Sequence, residues 1–126
     1  MKNAKTGITE NIKKGMTELL ILTILEQGDT NIYDILKKLD SFSDGACSIS
    51  YPYAAIYRLL DRSYIVECGK QVNENRRRQY YHMTKSGKVY LTEMKSEYEH
   101  FMRGVSKLME NLAASSQEPA PSAYNS

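Results

Sequence analysis

Three consecutive arginines, Arg76-Arg77-Arg78, dominate the chemically capable residues of this 126-residue chain. With Lys70, Lys85 and Lys88 they give residues 69–88 six basic side chains against one acid, Glu74, a local charge of +5. The whole chain carries only +2, so the rest is net acidic by three charges and the molecule is electrically two-sided. A concentrated basic patch suits phosphate, because neutralising phosphates releases their condensed counterions. A solvated loop is the plainer alternative. Other chemistries find less support. His82 and His100 stand without acidic or cysteine partners at ligand spacing, so no metal is expected. No serine, cysteine or lysine sits in a nucleophile motif with a base and an orienter, and there is no glycine-rich phosphate loop. Neither catalysis nor a cofactor is expected.

Composition agrees with a soluble globular chain, at 41% hydrophobic and 25% charged. The apolar run Leu19-Leu20-Ile21-Leu22 falls far short of the ~20 residues a bilayer span needs. No apolar signal core precedes Lys13-Lys14, so secretion is not expected. Cys47 and Cys68 are read as reduced thiols of a cytoplasmic protein. Cys47 precedes the third predicted helix, where a redox switch competes with plain packing.

The elements that must position the basic patch follow from periodicity. Residues 1–8 and 113–126 read as flexible tails, the second small, polar and broken by Pro119 and Pro121. Ile12, Met16, Leu19, Leu20 and Thr23 mark a first helix, and Ile21, Leu22, Ile24 and Leu25 widen its stripe until it nearly encircles the helix. Such a helix must be covered on several sides. Gly28-Asp29 ends it, and Thr30 or Asn31 can cap a second helix through Ile32, Ile35, Leu36 and Leu39. Ser48, Ser50 and Pro52 signal the start of a third. On it Pro52, Ile56, Leu59 and Leu60 share one face, while Ala54, Tyr57, Arg58 and Asp61 point the other way. The period then falls to two, predicting strands over 64–68 and 78–83 with a basic tip at 69–77.

Thr84 can cap a last helix reaching about Leu112. Leu91, Met94, Tyr98, Phe101, Val105, Leu108 and Leu112 recur on it at alternating spacings of 3 and 4. That is an a/d seam for a partner helix, and a second copy of the chain is the simplest supplier. The expected fold is mostly α with a small β wing. A winged helix-turn-helix domain over 9–87 precedes a dimerisation helix over 88–112.

Three segments resemble the PadR family of bacterial transcription regulators, in its short form with one C-terminal helix. Lys14-Gly15-Met16-Thr17-Glu18-Leu19-Leu20-Ile21-Leu22 is similar to its first-helix signature. Tyr53-Ala54-Ala55-Ile56-Tyr57-Arg58-Leu59-Leu60-Asp61-Arg62-Ser63-Tyr64-Ile65 resembles its recognition helix and exit. Arg76-Arg77-Arg78-Gln79-Tyr80-Tyr81-His82-Met83-Thr84-Lys85-Ser86-Gly87 resembles its second wing strand and the start of its last helix. The likeness spans about residues 12–112. Ser63 stands where the family usually has glycine, and Ile32 replaces a frequent glycine before Tyr33. There is no tryptophan, which some relatives use to stack flat drugs at the dimer centre, so the resemblance does not extend to that pocket.

The resemblance implies a recognition helix in the major groove and a wing on the neighbouring backbone or minor groove. Ser48, Ser50 and Tyr51 then stand at the helix entrance, where hydroxyls and free N–H groups suit phosphate. Ala54 can accept a thymine methyl, and Arg58 can read guanine bidentately. Arg58 can instead pair with Asp61 or Asp34 as surface decoration. Tyr57 joins the outward face, and the family's matching tyrosine implies a phosphate contact for Tyr53. Lys70, Arg76, Arg77 and Arg78 supply the wing. The expected function is a homodimeric, sequence-specific repressor of double-stranded operator DNA, released by a small hydrophobic effector or a stress signal. The alternative is a winged-helix module that binds another protein, which has no need of the basic wing.

Overall fold

The computed structural model describes residues 3–73 and 76–116. In chain order they form α1 (Asn3–Leu25), β1 (Thr30–Asn31), α2 (Ile32–Phe42), α3 (Tyr53–Asp61), β2 (Ile65–Asn73), β3 (Arg76–Met83) and α4 (Lys85–Ser115). This is the winged helix-turn-helix the periodicity predicts, with α2 and α3 as the pair and β2–β3 as the wing. The three strands form one antiparallel sheet in the order β1-β3-β2.

The second half of α1 is central. Leu19, Ile21, Leu22, Ile24 and Leu25 are all buried, so no single face is left to water there. Buried with them are Ile35 and Leu39 of α2, Ala55, Ile56 and Leu59 of α3, Ile65 of β2, Tyr81 and Met83 of β3, and Leu91. Fully burying one such side chain contributes about 1.5–3 kcal/mol, so this cluster, rather than helix propensity, fixes the orientation of α3. Ile12 departs from the expected stripe and is exposed.

Several boundaries differ from the sequence reading. Helix α1 already includes residues 3–8, and α4 continues through Ser115, because each added residue of a formed helix gains a backbone hydrogen bond without a new nucleation cost. Residues 1–2 and 117–126 of the expected tails lie outside the described residues. The wing strands also run further than expected, pairing out to Asn73 opposite Arg76. A ladder is closed by backbone N–H and C=O groups, so it can extend past the apolar alternation that marks its inner half. The two-residue β1 was not foreseen: Thr30 and Asn31 pair with Tyr81 and Tyr80. Asn31 still caps α2, its Oδ1 accepting from the Asp34 backbone N–H at 2.9 Å while its Nδ2 donates to the Asp34 carboxylate at 3.1 Å.

By internal contacts the chain divides into two units, residues 1–92 and the remainder from Glu93. The first unit therefore keeps the opening turns of α4. Their start is tied to the exit of α3 by two side chains: the Thr84 hydroxyl donates to the carbonyls of Ser63 and Tyr64 at 2.7 and 3.1 Å and accepts from the Gly87 N–H at 3.0 Å, and the Ser86 hydroxyl donates to the Ser63 carbonyl at 3.2 Å. Gly87 fits there because it has no Cβ, which would lie 2.1 Å from the Tyr64 carbonyl oxygen.

In β2 one extra residue, Cys68, forms a bulge between Glu67, paired with Tyr81, and Gly69, paired with Tyr80. At the exit of α3, Ser63 adopts φ +62°, a left-handed conformation that glycine takes freely. Ser63→Gly is expected to stabilise the fold by roughly 0.5–1 kcal/mol, since the side-chain strain outweighs the added freedom of the unfolded chain. Thermal melts would check this, and a lower melting temperature would show that the Ser63 side chain holds something the strain conceals.

Candidate nucleic-acid interface

Helix α3 buries Ala55, Ile56 and Leu59 and leaves Tyr53, Ala54, Tyr57, Arg58 and Asp61 exposed. Its entrance differs from the expectation in one respect. Pro52 itself occupies the cap position, with no side-chain cap bond, so Ser50 does not cap the helix. Pro52 is buried, and its carbonyl accepts the first helical bond, from Ile56 at 3.0 Å. The leading N–H groups of α3 are thus left without a side-chain acceptor, which is the usual electrostatics of a phosphate-facing helix end. Ser50 and Tyr51 are exposed beside it, Tyr51 at 87%. Ser48 is not available in the same way, because its hydroxyl donates to the Asp40 carboxylate.

The wing approaches the same side of the unit. Arg77 and Arg78 line a concavity of about 310 Å³ together with Tyr33, Leu36, Tyr53 and Tyr81. The Arg78 guanidinium lies 4.1 Å from the centre of the Tyr33 ring, a cation–π contact that fixes the arginine while leaving its edge nitrogens for acceptors. Lys37 also stands over that ring, at 5.8 Å. Arg77 and Lys70 are exposed. The side chain of Arg76 lies outside the described residues. Tyr81 forms the floor, its phenol pushed above the usual tyrosine range by burial first and by the Glu67 carboxylate next. It therefore stays a neutral donor.

Arg58 differs most from the sequence reading. Its Nε–H donates to Glu18 Oε2 on α1 at 2.6 Å, in place of the Asp61 or Asp34 pairing weighed above. The other oxygen of Glu18 accepts from the Tyr90 hydroxyl at 2.8 Å, and the Tyr90 ring stacks on Tyr64 with centroids 4.2 Å apart. Burial, then the Glu18 carboxylate, raises the Tyr90 phenol above its ordinary value and keeps that donor protonated.

The expectation that His82 stands alone is also corrected. Its Nδ1 lies 2.7 Å from Asp29 Oδ1, and the Cys68 thiol reaches Asp29 Oδ2 at 3.7 Å. Burial first, then the Asp29 carboxylate, raises the Cys68 thiol, which disfavours the reactive thiolate. Among the described residues no cluster of three such side chains is arranged to hold a metal ion.

On α4, Leu91 is buried inside the first unit and has no surface left for a partner helix, although the seam was expected to begin there. Tyr98, Phe101, Leu108 and Leu112 are exposed, while Met94 and Val105 are half-buried. Met102 and Met109, absent from the sequence reading, are exposed too and directly follow Phe101 and Leu108. The apolar stripe is therefore wider than a strict a/d seam. No helix among the described residues is long and apolar enough to cross a membrane.

Comparison with known proteins places this geometry. Residues 21–93 match the family described as Transcriptional regulator PadR-like. A solved structure of a transcriptional regulator from Clostridium thermocellum is 28% identical, with a TM-score of 0.70 over 77% of this chain and 96% of that one. A PadR-like transcriptional regulator from Bacillus cereus is 26% identical, with a TM-score of 0.65 over 79% and 96%. A PadR family regulator from Eggerthella lenta shares the fold at a TM-score of 0.72 over 86% and 94%, with 21% identity.

Proposed function

We propose, from the premise that this chain belongs to the Transcriptional regulator PadR-like family, that it is a homodimeric repressor that reads a specific operator in the cytoplasm. The family makes it a transcription regulator; operator reading, repression and release by a small hydrophobic effector are the finer content of this proposal. The observation that carries it is the meeting of α3 and the wing on one side of the unit, where Tyr53, Arg77 and Arg78 line the same concavity. On this reading Ala54, Tyr57 and Arg58 face the bases. Ser48, Ser50, Tyr51, Tyr53, Lys70, Arg76, Arg77 and Arg78 serve the backbone, with Ser48 having first to leave Asp40. The apolar stripe of α4, from Met94 through Leu112, joins the two copies, which sets two recognition helices on two half-sites.

The test is the salt dependence of binding. Each phosphate neutralised contributes about 0.9 to the slope of log affinity against log salt. Arg77→Ala combined with Arg78→Ala should make that slope shallower by about 1.8 and weaken specific and non-specific duplexes alike. A double variant that binds with the parent slope would show that the wing is not a phosphate clamp. A parent protein that passes through a DNA column at low salt would remove operator reading altogether.

A further inference from the structure

The Glu18 carboxylate is 14% exposed and is shared between two donors on different elements, the Arg58 guanidinium of α3 and the Tyr90 hydroxyl of α4. The Arg58 side chain remains 48% exposed. Only Nε is engaged, and its two terminal nitrogens have no hydrogen-bond partner among the described residues. A guanidinium held by Nε still presents its terminal pair as a planar fork, the arrangement that matches the O6 and N7 acceptors of guanine. A surface ion pair of this exposure adds little to stability. Its larger effect is on entropy, since an arginine clamped at Nε loses less side-chain freedom on meeting a base.

We propose that Glu18 is the positioning residue for Arg58 in base reading, and that Tyr90 holds Glu18 in place for that purpose. The proposal rests on the reading of α3 as the recognition helix. It also explains why a carboxylate lies on the DNA-facing side of a basic protein: its charge is spent on Arg58, and its second oxygen is occupied by a neutral donor. A lysine at position 58 could not substitute, because one ammonium cannot both bind Glu18 and present a fork. The root of α4 thereby acts on the recognition helix through two hydrogen bonds.

The experiment uses the full chain and a duplex enriched by the parent protein from a randomised library, with a scrambled duplex of equal length as reference. Arg58→Ala and Arg58→Lys should each lose about tenfold to a hundredfold on the enriched duplex and little on the scrambled one. Glu18→Gln, which keeps shape and removes charge, should lose on the enriched duplex alone. Combined with Arg58→Ala it should add nothing further, since the two residues act as one unit. Tyr90→Phe should show the same selectivity in smaller degree. Tighter binding of Glu18→Gln to both duplexes would overturn the proposal, as Glu18 would then merely repel DNA. Additive losses in the double variant, or an equal loss of Arg58→Ala on both duplexes, would overturn it too. If the parent enriches no duplex, the operator reading falls and the proposal with it; if it does and Glu18→Gln keeps full selectivity, only the proposal falls.

Discussion

Gly87→Ala should destabilise the winged-helix unit by about 3 kcal/mol, at the upper end of overpacking costs. Two effects compete at this site. Alanine is the better helix former and would gain up to about 1 kcal/mol in the first turn of α4. Against that, the new Cβ would stand 2.1 Å from the Tyr64 carbonyl oxygen, 2.9 Å from Met83 Cγ and 3.0 Å from the Tyr64 carbonyl carbon. The methionine could move, but the carbonyl cannot. It belongs to the turn between α3 and β2, and it already accepts the Thr84 backbone N–H at 3.0 Å and its hydroxyl. Relief would require breaking the anchor that ties α4 to the exit of α3. For a unit of this size the melting temperature should fall by more than about 10 °C. Far-ultraviolet circular dichroism on heating would check it. A variant as stable as the parent would mean that the Tyr64 carbonyl can yield to a methyl group without loss of the Thr84 anchor.

Replacing Phe101 and Leu108 together by aspartate should abolish the dimer. Both side chains are exposed in the chain by itself, at 68% and 58%, so the change costs the monomer little. In a two-fold interface each substitution counts twice. Removing four side chains worth about 1.5–3 kcal/mol each exceeds 6 kcal/mol, or more than about 10⁴-fold in the dissociation constant. Light scattering at micromolar concentration should then report about 14.4 kDa rather than twice that mass. Affinity for a two-half-site duplex should fall with it, by roughly the 10²–10⁴-fold that linkage of two sites supplies. A variant that still scatters as a dimer would place the interface elsewhere than on this stripe.

Much of the fold was legible in the chain because each helix carries its own period. Pro52, Ile56 and Leu59 repeat at helical spacing, and the structure buries all three. Thr84 announces α4 because a hydroxyl three residues before Gly87 is a local device, complete within one turn. Strand β1 had no such signal, since two residues cannot display a period and their extended form is imposed by Tyr80 and Tyr81 across the ladder. The outer wing was missed for a related reason: residues 69–77 are almost all polar and display no apolar alternation to read. In the candidate site the limit is distance along the chain. Glu18 and Arg58 are 40 residues apart, and Asp29 and His82 are 53 apart. No spacing rule connects such pairs, so Arg58 could be assigned to the outward face of its helix while its partner could not be named. Ser63 is the instructive intermediate case. Its departure from the expected glycine was visible in the sequence, and the positive φ shows what that glycine would have relieved.

The extra residue in β2 has a further effect, on parity. Side chains of a strand alternate between faces, so one inserted residue exchanges the two faces for everything beyond it. Ile65 stands opposite Met83 before the bulge, on the buried side, and Lys70 stands opposite Gln79 after it. Met83, Tyr81, Gln79 and Arg77 are alternate residues of β3, so Lys70 is brought onto the side of the sheet that carries Arg77. Without Cys68 as the odd residue, Lys70 would fall opposite Arg78 and its ammonium would turn to the reverse side. A single residue of strand arithmetic thus decides which arginine Lys70 reinforces: Arg77 with the bulge in place, or Arg78, on the opposite face, without it.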